Sequence, residues 1–257
     1  MEHSFLDKYS ERASFLHSLD PRTKIISFIG LVVLIVITPP REFIIFAQYA
    51  LMLSGLVILS RLPLLFMLKR TLLVIPFVLT IVLFIPFFKE GQTIFILNLG
   101  LVKTRLTYEG IIIAWNVLAK SVLSVVLLTL LVSTTRFAVL LKGLECLKFP
   151  RVLLMLVSFM YRYLFVLIDE AERMQRARTA RWFGGYLWRQ IKVIGNLIAL
   201  LFIRSYERAE CVYAAMLARG FDGNIRIIND LRFNLRDAGF ITTVLLVLII
   251  IWRHTLL

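Results

Sequence analysis

Five stretches of this chain are apolar for long enough to cross a lipid bilayer. Residues 24–40 (KIISFIGLVVLIVITPP), 42–60, 71–88, 111–133 and, at the short end, 238–252 approach or meet the length that a spanning helix needs, about 17–25 residues. Hydrophobic residues make up 60% of the chain and mean hydropathy is +0.85, far above a soluble globular domain. The first run lacks an A-x-A-like cleavage site and follows mixed charges, so it does not read as a removable signal peptide. We read five spans.

Charge placement orients them. Of 30 Lys and Arg, 17 lie in residues 134–236, against eight acids there. Arg61, Lys69 and Arg70 follow the second run with no acid beside them. Positive-inside bias places both segments in the cytoplasm, which makes the N-terminus cytoplasmic and the C-terminus external. The 89–110 loop is then outside, with Lys89, Lys103 and Arg105 set against Glu90 and Glu109. The net charge of +14 reports this topology. The basic residues flank membrane spans, which argues against a nucleic-acid partner.

Residues 152–168 (VLLMLVSFMYRYLFVLI) are a candidate sixth span at the lower length limit. Arg162 sits in the middle, where a charge costs about 2.5–3.5 kcal/mol on insertion scales. We therefore expect a helix packed under the others at the cytoplasmic boundary. The run 193–203 (VIGNLIALLFI) is too short to span and is expected to bury against neighbouring helices.

Chemistry-bearing patterns are sparse. Cys146 and Cys211 both fall on the cytoplasmic side, where thiols stay reduced, and no CxxC spacing exists. His3, after Met1 and Glu2, has the spacing of an amino-terminal metal chelate but reads better as part of a frayed terminus; no metal site is expected. No phosphate-cradling G-x-x-x-x-G-K-[ST], G-x-S-x-G or H-E-x-x-H occurs, so no enzyme chemistry is expected of this chain. Acidic residues are nearly absent from the spans, against a self-powered, proton-coupled transporter. Lys120 is the one ionisable residue well inside a span. A functional role and a snorkelling or pairing role stand equal for it.

The long basic stretch carries a repeat. ARWFGG at 180–185 and ARGFDG at 218–223 share Ala-Arg-x-Phe-x-Gly, and the Ala-Glu pair at 171–172 recurs at 209–210 with the same offset. At 3.6 residues per turn, Ala209, Val212, Ala215, Met216 and Arg219 share one helix face, with Glu207 and Glu210 pointing away. Tyr163, Leu167, Ala171, Met174, Ala177, Arg178 and Arg181 share a face of the other helix. Glycine follows each arginine and ends each helix. A guanidinium offers five donors, suited to carboxylates or carbonyls in a groove. One such end would read as a solvated terminus complementing the helix dipole. Two copies with matching stripes point to docking in two equivalent sockets.

ERAECVYAAMLARGFDG at 207–223, the earlier ARWFGG, and LDPRTK at 19–24 resemble the transmembrane coupling (T) component of energy-coupling-factor transporters, most closely its cobalt/nickel, CbiQ-like branch. The resemblance covers the whole chain in order and length. It implies an all-α membrane protein of about five transmembrane helices plus a cytoplasmic pair of long coupling helices. Residues 1–135 would form a four-span membrane domain, 136–236 the coupling region and 237–257 the last transmembrane helix. It implies two ABC-type ATPase partners, which bind ATP and Mg, and a small integral membrane substrate-binding subunit of the CbiM/NikM kind. The setting implied is the cytoplasmic membrane of a bacterium or archaeon. In that family two Ala-Arg-x motifs insert into grooves of the ATPases. Here they are Ala180-Arg181-Trp182 and Ala218-Arg219-Gly220. Trp182 departs from the usual Gly or Ser, and Ala177-Arg178-Thr179 is a second register for the first motif. The internal repeat favours Arg181. Cobalt, nickel and vitamin cargoes all remain open, as do a permease with its own pathway and a non-transporting scaffold.

Within LDPRTK, Asp20 is expected to cap the first helix with Pro21 at its first position. Arg22 and Lys24 then read as anchors at the cytoplasmic end of that span.

Overall fold

The computed structural model of the chain describes residues 14–89, 92–99, 102–181, 186–223 and 235–256. They belong to two compact units, residues 2–144 with 230–257, and residues 145–229. The first holds α1 (Pro21–Ile37), α2 (Phe43–Ser60), α3 (Leu64–Phe88), a hairpin of β1 (Thr93–Leu99) and β2 (Val102–Thr107), α4 (Tyr108–Thr134) and α8 (Leu235–Leu256). A short helix α5 (Phe137–Cys146) ends at the boundary between the units. The second unit holds α6 (Arg151–Ala180) and α7 (Leu187–Ala218). The all-α membrane architecture expected from the apolar runs is what the chain adopts.

Inside the membrane unit α1, α2, α4 and α8 share one core. Phe28, Leu31 and Ile35 of α1 meet Ile45, Tyr49 and Leu53 of α2, Leu127 and Leu130 of α4, and Phe240 and Val244 of α8. The rings of Phe28 and Phe240 lie 6.5 Å apart between centroids. Apolar side chains also cover the outside: Leu72, Leu73 and Phe77 of α3 are exposed, the pattern of a surface solvated by lipid tails.

Several boundaries differ from the sequence reading. α3 begins at Leu64, with Pro63 at its N-cap, so Lys69 and Arg70 ride in its early turns and not in a loop. Pro sets its own φ and favours a helix start, which hydropathy alone does not register. The 89–110 segment, read as an external loop, contains the antiparallel hairpin, with Leu99 opposite Val102 and Thr93 opposite Thr107. Its foot is tied to α3: the Thr107 hydroxyl donates to the Pro86 and Lys89 carbonyls at 3.0 and 2.8 Å. Gly110, at the start of α4, lies against the α3 end so closely that a Cβ there would sit 2.6 Å from the Pro86 Cα.

The start of α1 is built as LDPRTK suggested, and then goes further. Asp20 is the N-cap, accepting from the Arg22 N–H at 2.9 Å, with Pro21 in the first turn. Lys24, expected as a surface anchor, is 2% exposed and donates its ammonium to the carbonyls of Thr134 (3.2 Å) and His17 (3.3 Å). Asp237 at the start of α8 joins this enclosure: it is 1% exposed and accepts from the Asp20 N–H at 2.7 Å, while the Thr23 hydroxyl, 3.4 Å away, donates to the Asp20 carbonyl at 2.7 Å.

Lys120 resolves in the same way. Its ammonium donates to the Val36 carbonyl at 2.6 Å. In a continuing helix that carbonyl would be served by residue 40, but residue 40 is Pro and has no N–H. The pairing role is the one the structure shows. Lys24 of α1 thus closes the carbonyl end of α4, and Lys120 of α4 closes that of α1, each a cation at a helix C-terminus.

This geometry also bears on the span count. The end of α4 and the start of α8 both meet the start of α1, so residues 135–234 leave and return at one face of the membrane unit. α2, α3, α4 and α6 are long and apolar enough to cross a bilayer. A single crossing by α6 would nevertheless put Asp237 on the wrong face. The candidate span 152–168 is therefore not a lone sixth crossing; it is the first half of the 30-residue α6.

Candidate functional site

The two Ala-Arg motifs end α6 and α7 in the same way. Ala180 and Ala218 are the last residues of their helices, and Arg181 and Arg219 are the C-caps, with φ/ψ of −102/10° and −95/11°. Each cap N–H donates to the carbonyl three residues back, Arg178 at 3.1 Å and Met216 at 3.0 Å. Arg178 is thus the structural counterpart of Met216, one turn inside the helix. Arg181 is the counterpart of Arg219, as the sequence repeat indicated. Trp182, Gly184 and Gly185 lie outside the described residues.

At the second motif the stop is complete. Gly220 has φ +78°, its N–H donates to Leu217 at 2.9 Å, and the Phe221 N–H reaches back to Met216 at 3.1 Å. These are the paired bonds of a Schellman cap, and glycine adopts the left-handed conformation it needs without strain. Both arginines are exposed. Among the described residues neither guanidinium has a hydrogen-bond or ion-pair partner.

α6 and α7 run in opposite senses and meet around Glu170. That carboxylate binds Arg204 of α7 and, at 3.5 Å, Arg173 of its own helix. On one side of the meeting point Phe159, Tyr163 and Leu167 face Ala209, Val212 and Met216 across a cleft of about 390 Å³. On the other side Met174, Ala177 and Arg181 face Val193, Leu197 and Leu200 across about 780 Å³. The stripes read from the sequence therefore look largely at each other, which corrects the idea that they lie wholly on a docking face. Small residues there let the two helices approach.

Arg181 lies eleven residues past Glu170, and Arg219 fifteen past Arg204. At 1.5 Å per residue the two guanidinium groups are carried about 17 and 22 Å from the crossing, on opposite arms. The run 193–203 splits between two environments. Val193 and Leu197 line the α6 cleft half-buried and Leu200 lines its exposed rim, while Ile194, Ile198 and Phe202 are exposed along the other face of α7. The crossing pair Glu170–Arg204 was not found from sequence: the residues are 34 apart and no local pattern joins them.

A membrane-embedded helical bundle joined to a crossed helix pair with matched arginine ends defines the class. Within it, the chain belongs to the family described as cobalt transport protein, CbiQ, whose model matches residues 12–228, and so to the transmembrane components of energy-coupling-factor transporters. Over 258 residues it is 30% identical to the energy-coupling factor transporter transmembrane protein EcfT of Listeria innocua, covering 96% of this chain and 94% of that protein. EcfT of Bacillus subtilis is 30% identical over 236 residues, 87% of this chain and 86% of that one. An uncharacterized protein of Methanocaldococcus jannaschii is 31% identical over 257 residues, 96% of this chain and 87% of its own length. The chain is a membrane component of a transporter.

Proposed function

We propose that the chain couples two ABC-type ATPase subunits to a small membrane subunit that captures cobalt or nickel. The observation that carries this reading is the pair of matched arginine caps, without partners among the described residues, on opposite arms of one helix crossing. Arg181, with Ala180 and Trp182, enters a groove of one ATPase; Arg219, with Ala218 and Gly220, enters that of the other. ATP and Mg stay in the ATPases. Closure of the ATPase pair draws the two helix ends together, and α6 and α7 scissor about Glu170 and Arg204. The capture subunit responds by changing its tilt and releases its cargo inward. The family description supports cobalt, and selectivity resides in the capture subunit.

Arg181→Glu and Arg219→Glu test this in the assembled complex. A reversed charge in a desolvated groove costs about 2–5 kcal/mol, enough to empty a socket. Each variant is expected to lose co-purifying ATPase and ATP-driven cobalt uptake while still inserting. Arg178→Glu, one turn inside α6, loses less. Full docking and uptake by Arg219→Glu would refute the assignment. Uptake of nickel or a vitamin in place of cobalt would change only the cargo.

A further inference from the structure

The coupling segment departs from the membrane unit beyond α5 and rejoins it ahead of α8, and one buried cluster holds the end of α4 and the start of α8. Lys24 grips the Thr134 carbonyl at 3.2 Å from the α1 side. Asp237 holds the same helix start from α8, its carboxylate accepting from the Asp20 N–H at 2.7 Å. Lys24 and Asp237 are 2% and 1% exposed. Buried charges of this kind are poor stabilisers, because well-packed apolar residues often serve as well or better. What they supply here is position: the Thr134 carbonyl at the end of α4 and the Asp237 carboxylate at the start of α8 are both fixed to one turn of α1.

We propose that this cluster is the fulcrum of the transport cycle, with Lys24 and Asp237 as positioning residues. Motion of α6 and α7 reaches the membrane unit through α5, which continues from the end of α4, and through the start of α8. With both ends pinned, the displacement passes into α1, α4 and α8; with either end loose, slippage absorbs it. The inference rests on the coupling function proposed above, and the experiment separates the two.

The complex of this chain with its ATPases and capture subunit is reconstituted in liposomes, and cobalt uptake is measured per ATP hydrolysed. Lys24→Met keeps the side-chain length and removes the donor; Asp237→Asn is nearly isosteric and removes the charge. Both are expected to retain ATPase and hydrolysis. The uptake-to-hydrolysis ratio should fall about tenfold in Lys24→Met, the equivalent of one charge-assisted hydrogen bond, and in the same direction in Asp237→Asn. A ratio equal to wild type overturns the fulcrum, whether total activity holds or declines. If Lys24→Met fails to assemble, Asp237→Asn decides. If the wild-type complex itself shows no ATP-driven uptake, it is the coupling function that fails.

Discussion

Gly220 offers a sharp test of how the second arginine is presented. Its φ of +78° lies in the left-handed region, and a Cβ built there meets nothing within 4 Å. Substitution therefore adds no clash, and its whole cost is backbone strain, about 1–2 kcal/mol for an L-residue. That strain weakens the cap bonds from Gly220 to Leu217 and from Phe221 to Met216, and Arg219 stands immediately before them. If docking requires the capped geometry, Gly220→Ala raises the apparent dissociation constant for the ATPase by at most about 5- to 30-fold. Gly220→Val belongs at the upper end, since a β-branched residue is least at home there. Gly220→Asn stays near wild type, because asparagine tolerates the left-handed region. The assay is titration of purified ATPase onto immobilised chain, with melting temperature measured alongside. Melting should move little, the residue being exposed at a helix end. Wild-type docking by the valine variant, or an asparagine variant as weak as valine, would refute the argument.

Three further outcomes follow from the geometry. Reporter fusions after Leu257 and near Gly185 should lie in opposite compartments; the same compartment for both would overturn the five-span count and make residues 152–168 a span. Gly110→Ala drives a Cβ to 2.6 Å from the Pro86 Cα and should lower the melting temperature in detergent by about 3–10 °C, whereas Gly30→Ala, with nothing within 4 Å, should not lower it. Lys120→Met strips the donor from Val36 and should cost about 1–3 kcal/mol of stability while ATPase docking persists; lost uptake at unchanged stability would instead restore a transport role for that lysine.

What was legible in the sequence was whatever repeats or runs locally. The apolar stretches placed α1, α2, α4 and α8 to within a few residues, and a thirty-eight-residue repeat aligned Arg181 with Arg219 before their matching dihedrals were seen. The burial of Lys24 is invisible locally because Thr134 and Asp237, which close over it, are more than a hundred residues away; only His17 among its partners is near in sequence. By local rules a lysine at a span's edge snorkels; only tertiary contact buries it. The hairpin hid within a stretch taken as loop because seven residues of Thr93–Leu99 are too few to outweigh the neighbouring charges. α5 escaped because ten residues between two long helices carry little periodic signal, although a Cβ added at Gly143 would sit 2.9 Å from the Ile25 Cδ1 and 3.2 Å from the Pro21 Cβ. The clefts between α6 and α7 show the opposite failure. The stripes were found, but a stripe alone does not say whether it faces a partner or its own neighbour.

The reciprocal lysine caps have a consequence for the lipid. Pro39 and Pro40 end α1 at seventeen residues, where Lys120 serves the freed Val36 carbonyl, so α1 covers about 26 Å, while the twenty-seven residues of α4 cover about 40 Å. The hydrocarbon core is about 30 Å thick, and its edge must follow the shorter helix where only α1 faces it. The Lys120 ammonium marks that edge, drawing water and headgroups inward on the leaflet away from Lys24. The sheet of lipid is thus thinner on one flank of the bundle than on the other. Each ångström of mismatch costs a fraction of a kcal/mol, so a neighbour that must tilt in the bilayer meets its lowest elastic resistance beside α1.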